Sequence, residues 1–217
     1  MERTVTVKGT GKLKLSPDTI EISMSLDSGA VDYEKALSQG AKELAELQKT
    51  IEPLGFEAKE LKTLYYSVDA QYEYENDRRG NSKRVFKGYV CRQNLTLRFP
   101  FDTALMSKLL SALARTKAEP ELNVQFTVKD RDAVKDELLT QAAENARHKA
   151  AVLCAASGAK LGQVLSIDYN WGEINFYSNT TYARGMMKCD AAEECAMAIT
   201  PDDIEISDSA AFVFALE

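Results

Sequence analysis

The chain has 217 residues, 45% hydrophobic and 28% charged, with a net charge of −6. That is length enough for a substantial core, in one large domain or two joined subdomains, and the interspersed acidic and basic residues argue against the clustered basic face of a nucleic-acid binder. No apolar run approaches the roughly 20 residues of a membrane-spanning helix, and the cysteines (Cys91, Cys154, Cys189, Cys195) are too few for a disulfide scaffold.

The first stretch organises the rest. Val5, Val7, Gly9, Gly11, Leu13 and Leu15 fall on odd positions; after Ser16-Pro17-Asp18 the apolar set continues on even positions, as Ile20, Ile22, Met24 and Leu26. Side chains alternate faces along a strand, so this pattern predicts two half-buried strands. Pro17 and Asp18 suit a tight turn, and the expectation is a hairpin. Because alternation begins by Thr4, no apolar signal segment is read, and the location expected from the sequence as it stands is cytoplasmic. A trimmed signal peptide would leave the same pattern, and the alternative is an exported or envelope-associated protein.

Asp32 is placed to cap a helix running from Tyr33 to about Leu54, with Leu37, Leu44 and Ile51, then Gly40, Leu47 and Leu54, forming one apolar stripe. Gly55 supplies the left-handed position that ends it. A long aromatic strand follows, with Leu64, Tyr66, Val68, Ala70, Tyr72 and Tyr74 on one face. The charged turn from Asn76 to Lys83 leads into a second long strand, Arg84 to Phe99, so a long hairpin is predicted here. Asp102 caps a short helix, a strand follows Pro120, and Arg131 to about Ser157 reads as the longest helix, ended by Gly158. Its many alanines permit a close approach to a sheet or another helix. Leu165, Ile167, Tyr169 and Trp171 predict another strand, and the chain closes with an alternating segment from Ile204 to Leu216. Between them, Gly172 to Thr200 lacks steady periodicity.

Candidate chemistry is sparse. Cys189 and Cys195, with Met186, Met187 and Met197 beside them, offer soft ligands for a cation such as Cu(I), or an oxidisable thiol pair. Their spacing matches no zinc or thioredoxin pattern, and Asp190, Glu193 and Glu194 disfavour a neighbouring thiolate. The competing reading is a short helical or loop insertion. His148 lies between Arg147 and Lys149 on the long helix and is expected to be exposed, pointing away from Cys154. Asp202 and Asp203 sit at a turn after Pro201, where capping or solvation accounts for them. The glycines of Lys8 to Lys12 precede no helix, so a bulge or close backbone crossing is expected there rather than a phosphate loop. No catalytic residue and no cofactor are predicted.

Several segments together resemble the SIMPL family, a bacterial group without an established biochemical function. They are VTVKGTGKLKLSPDTIEISMSL at Val5 to Leu26, LKTLYYSV at Leu61 to Val68 and GYVCRQNLTL at Gly88 to Leu97. KAAVLCAASGAKLGQVLSI at Lys149 to Ile167 and ISDSAAFVFALE at Ile206 to Glu217 complete the set. The resemblance implies an α+β fold of antiparallel sheets with long hairpins, packed by about three helices. It covers residues 1–217 as one domain, divisible into subdomains at about 1–100 and 101–217. It also implies assembly into large homo-oligomeric rings and, for some members, a link to the envelope and to oxidative-stress defence. It carries over no catalytic residue. The expected function is that of a non-enzymatic, self-assembling structural or binding protein, a homo-oligomer without a nucleic-acid partner or a transmembrane segment, whose small-molecule ligand is unknown. The alternative is a thiol- or metal-dependent redox stress protein using residues 186–197.

Overall fold

Alternation on either side of Ser16-Pro17-Asp18 does produce two strands, β1 (Thr4–Leu15) and β2 (Thr19–Ala30), but they do not pair with each other. The computed structural model describes residues 3–76, 82–169, 172–180 and 199–217. Within these the chain continues through α1 (Tyr33–Ile51), β3 (Lys62–Asn76), β4 (Ser82–Pro100), α2 (Thr103–Leu113), β5 (Glu121–Thr127), α3 (Arg131–Ser157), β6 (Leu161–Asp168) and β7 (Ile204–Leu216). The fold is α+β: the described residues form three α-helices and two antiparallel sheets, of strand order β1-β7-β6 and β3-β4-β2-β5.

The predicted β1–β2 hairpin is therefore corrected. β1 runs antiparallel to β7 from Thr4↔Ala215 to Leu15↔Ile204, and β2 runs antiparallel to β4 from Thr19↔Pro100 to Ala30↔Tyr89. The polar groups of the connection bind remote segments instead of closing a tight turn. Ser16 Oγ donates to Asp203 Oδ1 at 2.7 Å, Asp18 N donates to the Thr127 carbonyl at 3.1 Å, and Asp18 Oδ1 accepts from Lys129 N at 2.8 Å.

Two compact units result, interleaved along the chain. One comprises the residues up to Asp18, Phe126–Thr180 and Pro201–Glu217; the other is built on Thr19–Gln125.

In the first unit α3 packs on β1 and β7. Leu138, Ala142, Ala146, Ala150 and Cys154 recur every four residues and are buried as one row. Opposite them β1 presents Gly9 and Gly11. A Cβ at Gly9 would stand 2.0 Å from the Ala142 carbonyl oxygen, and one at Gly11 would stand 2.0 Å from that of Leu138. This is the close backbone crossing expected from the glycine spacing. Val7, Phe212 and Phe214 pack with Ala146 and Ala150 in the core beside it. β1 is an end strand of its sheet, and α3 covers part of that edge. Asn145 Oδ1 accepts from Thr10 N at 3.1 Å, Gln141 Oε1 accepts from Lys12 N at 3.2 Å, and Lys149 Nζ donates to the Lys8 carbonyl at 2.8 Å. These side chains occupy backbone groups that an open strand edge would offer to another chain. β6 ends at Asp168, earlier than the alternation suggested: Tyr169 follows the strand and Trp171 lies outside the described residues. The Tyr169 hydroxyl donates to Asp208 Oδ2 at 2.7 Å, and this bond raises the phenol's pKa above its usual value.

In the second unit α1 lies on β2 and β4 and buries Ala36, Gly40, Leu47 and Ile51; Gly40 sits close against the Cys91 side chain, and its carbonyl accepts from Gln93 Nε2 at 2.9 Å. Leu37, predicted in the stripe, is exposed, because the buried row passes through Ala36 one position earlier. Asp32 stands at the N-cap position without a capping bond, its carboxylate pairing with Lys35 at 2.7 Å instead. Gly55 ends the turn after α1 at φ +95°, and Asp102 Oδ1 caps α2 by accepting from Leu105 N at 2.9 Å.

Candidate functional site

The long β3–β4 hairpin forms as the sequence predicted, paired from Lys62↔Thr96 to Asn76↔Ser82. β2 accompanies β4 only as far as Ala30↔Tyr89, so residues 71–76 and 82–88 continue as a two-stranded ribbon. A two-stranded hairpin in water is marginal unless something packs on it.

Two irregularities decide which side chains share a face. Between Gln71↔Gly88 and Tyr72↔Phe86 the register slips, leaving Lys87 unpaired in a β-bulge. Gly88 has φ +128°, and a Cβ there would meet the Ala30 carbonyl oxygen at 2.3 Å, so the position requires glycine. The bulge brings Phe86 onto the same face as Tyr89, which simple alternation would have prevented. A second slip at Thr63/Tyr65 leaves Leu64 out of the pairing. Leu64 therefore drops out of the predicted Tyr66–Tyr74 row and joins the opposite face, beside Lys62.

The result is a chain of edge-to-face rings. Tyr72 meets Phe86 at 5.6 Å between centroids, Phe86 meets Tyr89 at 5.3 Å, and Tyr89 meets Tyr33, at the start of α1, at 5.5 Å. Arg84 stacks on Tyr72 at 3.7 Å. Much of this row faces solvent: Tyr72 is 43% exposed, Phe86 45% and Tyr74 73%. Lys87 on the bulge bonds Glu75 and lies 3.6 Å from Glu73. The Glu75 bond raises the lysine's pKa, while the ammonium lowers that of Glu75. Nearer the sheet, hydrogen bonding to the Cys91 thiol, helped by burial, raises the pKa of Tyr66. The ribbon thus offers contiguous apolar area with local charge of both signs, which suits contact with another protein surface.

Met186, Met187, Cys189, Cys195 and Met197 lie outside the described residues. Cys91 and Cys154 are free and buried, whereas His148 is exposed. Asp203 accepts from Ser16 and lies 3.7 Å from Lys14, and the Asp202 carbonyl accepts from Ser178 Oγ at 2.7 Å. Of the irregular segment, residues 172–180 are tied down in the first unit: Thr127 Oγ1 donates to the Phe176 carbonyl at 2.8 Å and Ser178 N donates to that of Phe126 at 2.9 Å. Among the described residues no three His, Cys, Asp or Glu side chains are grouped to hold a metal ion, and no helix is long and apolar enough to cross a membrane.

The family described as SIMPL, protein of unknown function (DUF541), matches residues 5–214. "Uncharacterized protein YggE" of Escherichia coli strain K12 is 26% identical over 216 residues, covering 98% of this chain and 83% of its own. The Shigella flexneri protein of the same name matches to the same extent. The "26 kDa periplasmic immunogenic protein" of Brucella melitensis is 24% identical over 163 residues, which are 75% of this chain and 65% of the relative.

Proposed function

Because the chain belongs to the SIMPL family, whose description is a protein of unknown function, we propose a molecular role from its surface: a non-enzymatic protein that self-assembles through the β3–β4 ribbon. One observation carries this reading. The ribbon extends past its third strand while holding Tyr72, Tyr74 and Phe86 in the open, an arrangement that gains stability once a second surface covers it. The partner is a second copy of the chain.

The name of the Brucella relative, a periplasmic protein, supports the exported alternative for location over the cytoplasmic one. A link to stress defence rests on the family resemblance alone.

Hydrogen exchange tests the reading. If the ribbon is a subunit contact, amides of residues 71–76 and 82–88 become more protected as protein concentration rises, while those of the buried α3 row do not change. Exchange in the ribbon that is the same at every concentration would defeat the proposal.

A further inference from the structure

In the first unit Val7, Lys8, His148, Lys149, Val152 and Leu153 line a groove of about 480 Å³ between α3 and the edge of β1. Its origin lies in the helix. A row of residues spaced by four drifts roughly 40° per step around a 3.6-residue turn, so the buried line from Ala142 to Cys154 winds around α3 and leaves Val152 and Leu153 overhanging the strand edge. They stay 53% and 51% exposed, above a Val7 that is almost fully covered.

The charged lining is of one sign. Lys149 Nζ donates to the Lys8 carbonyl at 2.8 Å, which holds that ammonium at the rim with two N–H groups to spare. Lys8 is exposed beside it, no carboxylate lines the groove, and neither lysine forms an ion pair among the described residues. The nearest acid along α3, Glu144, lies a full turn before His148. The surrounding sequence has the same bias: Arg147 to Ile167 contains three cations, Arg147, Lys149 and Lys160, and no Asp or Glu, in a chain of net charge −6. Among the described residues, the exposed large hydrophobics of the first unit all fall in that stretch, as Val152, Leu153, Val164, Leu165 and Ile167.

The geometry points to a binding site for a single-chain anionic amphiphile, such as a medium-chain fatty carboxylate. The head takes the Lys149 and Lys8 ammoniums, and the chain lies along Val152 and Leu153 above Val7. Two ammoniums with no carboxylate in the lining select a negative head, and the adjacent aliphatic side chains select an apolar tail. Both lysines are exposed, so the head reaches them without opening the fold. The volume lies within the range of small-molecule sites. The groove shares no residue with the ribbon surface assigned to assembly.

Sodium octanoate is the probe, titrated against the full chain at low salt and followed by ligand-observed saturation-transfer NMR, which tolerates a large assembly. Saturable binding is expected. Lys8→Met and Lys149→Met should each weaken it several-fold and together about tenfold or more, through loss of charge-assisted hydrogen bonds. Leu153→Asp, which sets a carboxylate beside the tail, should abolish it. Octanol has the chain without the charge and inorganic phosphate the charge without the chain; neither should compete with octanoate. Lys149 also bonds β1, so Lys8→Met and Leu153→Asp carry the test if Lys149→Met loosens the strand edge. Tyr74→Glu with Phe86→Glu, on the ribbon, should bind octanoate as the parent does. The inference is overturned if octanoate gives no saturable signal, if the double lysine variant or Leu153→Asp binds like the parent, or if octanol or phosphate binds equally well. It is overturned as well if the ribbon variant loses binding, or if vesicles of phosphatidylcholine with phosphatidylglycerol retain the protein while free octanoate does not bind, which would make the patch a membrane-docking surface.

Discussion

Alanine at position 9 is expected to destabilise the first unit by about 3 kcal/mol, the upper end of what overpacking ordinarily costs. The added methyl would stand 2.0 Å from the Ala142 carbonyl oxygen and 2.8 Å from the Ala146 Cβ. Both belong to the body of α3, so no flexible side chain can swing aside. The helix must move away from β1, separating Ala146 and Ala150 from Val7, Phe212 and Phe214 and lengthening the bonds of Asn145 and Gln141 to the strand edge. Gly29→Ala is the matched control: it is also in a strand, yet nothing lies within 4 Å of its added Cβ, and its effect should stay within about 1 kcal/mol. Urea unfolding reads both as midpoint shifts at constant slope. Equal midpoints for the two variants would mean that α3 does not lie against β1 at this distance.

The second large effect concerns assembly. Glutamate at Tyr74 and Phe86 together places two charges in the aromatic row of the ribbon, where a contact between copies would have to bury them. Aromatic anchors at the centre of an interface commonly account for about 2 kcal/mol or more each, so the pair should weaken association at least ~100-fold and leave a monomer at micromolar concentration. The fold itself should be little affected, since Tyr74 is 73% exposed and Phe86 loses only its edge contacts with Tyr72 and Tyr89. Tyr65→Glu supplies the comparison. Tyr65 is also half exposed but pairs with Asn94 on the opposite face, and this substitution should leave the assembled mass unchanged. Dispersal by Tyr65→Glu and not by the double variant would place the contact on the other face.

How much of this was legible in the sequence varied with the kind of information required. Alternation in β1 and β2 identified both strands, because it reports one buried face; it carries no record of which strand lies alongside. Ser16-Pro17-Asp18 looked like a hairpin turn because its groups can bond locally, whereas here they bond Asp203, Thr127 and Lys129, more than a hundred residues away. The α3 alanines and the β1 glycines each announced a close approach, and the structure shows that they approach one another. The β3–β4 hairpin was read correctly in outline, but its faces were not. A bulge at Lys87 and another at Leu64 shift the period by one, and only Gly88, with its left-handed φ, hinted at the first.

Self-association is measured most directly as the solution mass of the untagged protein by light scattering at micromolar concentration, with and without reductant. Contact through the ribbon predicts a multiple of the 24.1 kDa chain mass, identical in both conditions, since aromatic packing needs no disulfide. A particle of 24.1 kDa at every concentration, or an assembly that dissociates when reductant is added, would contradict it.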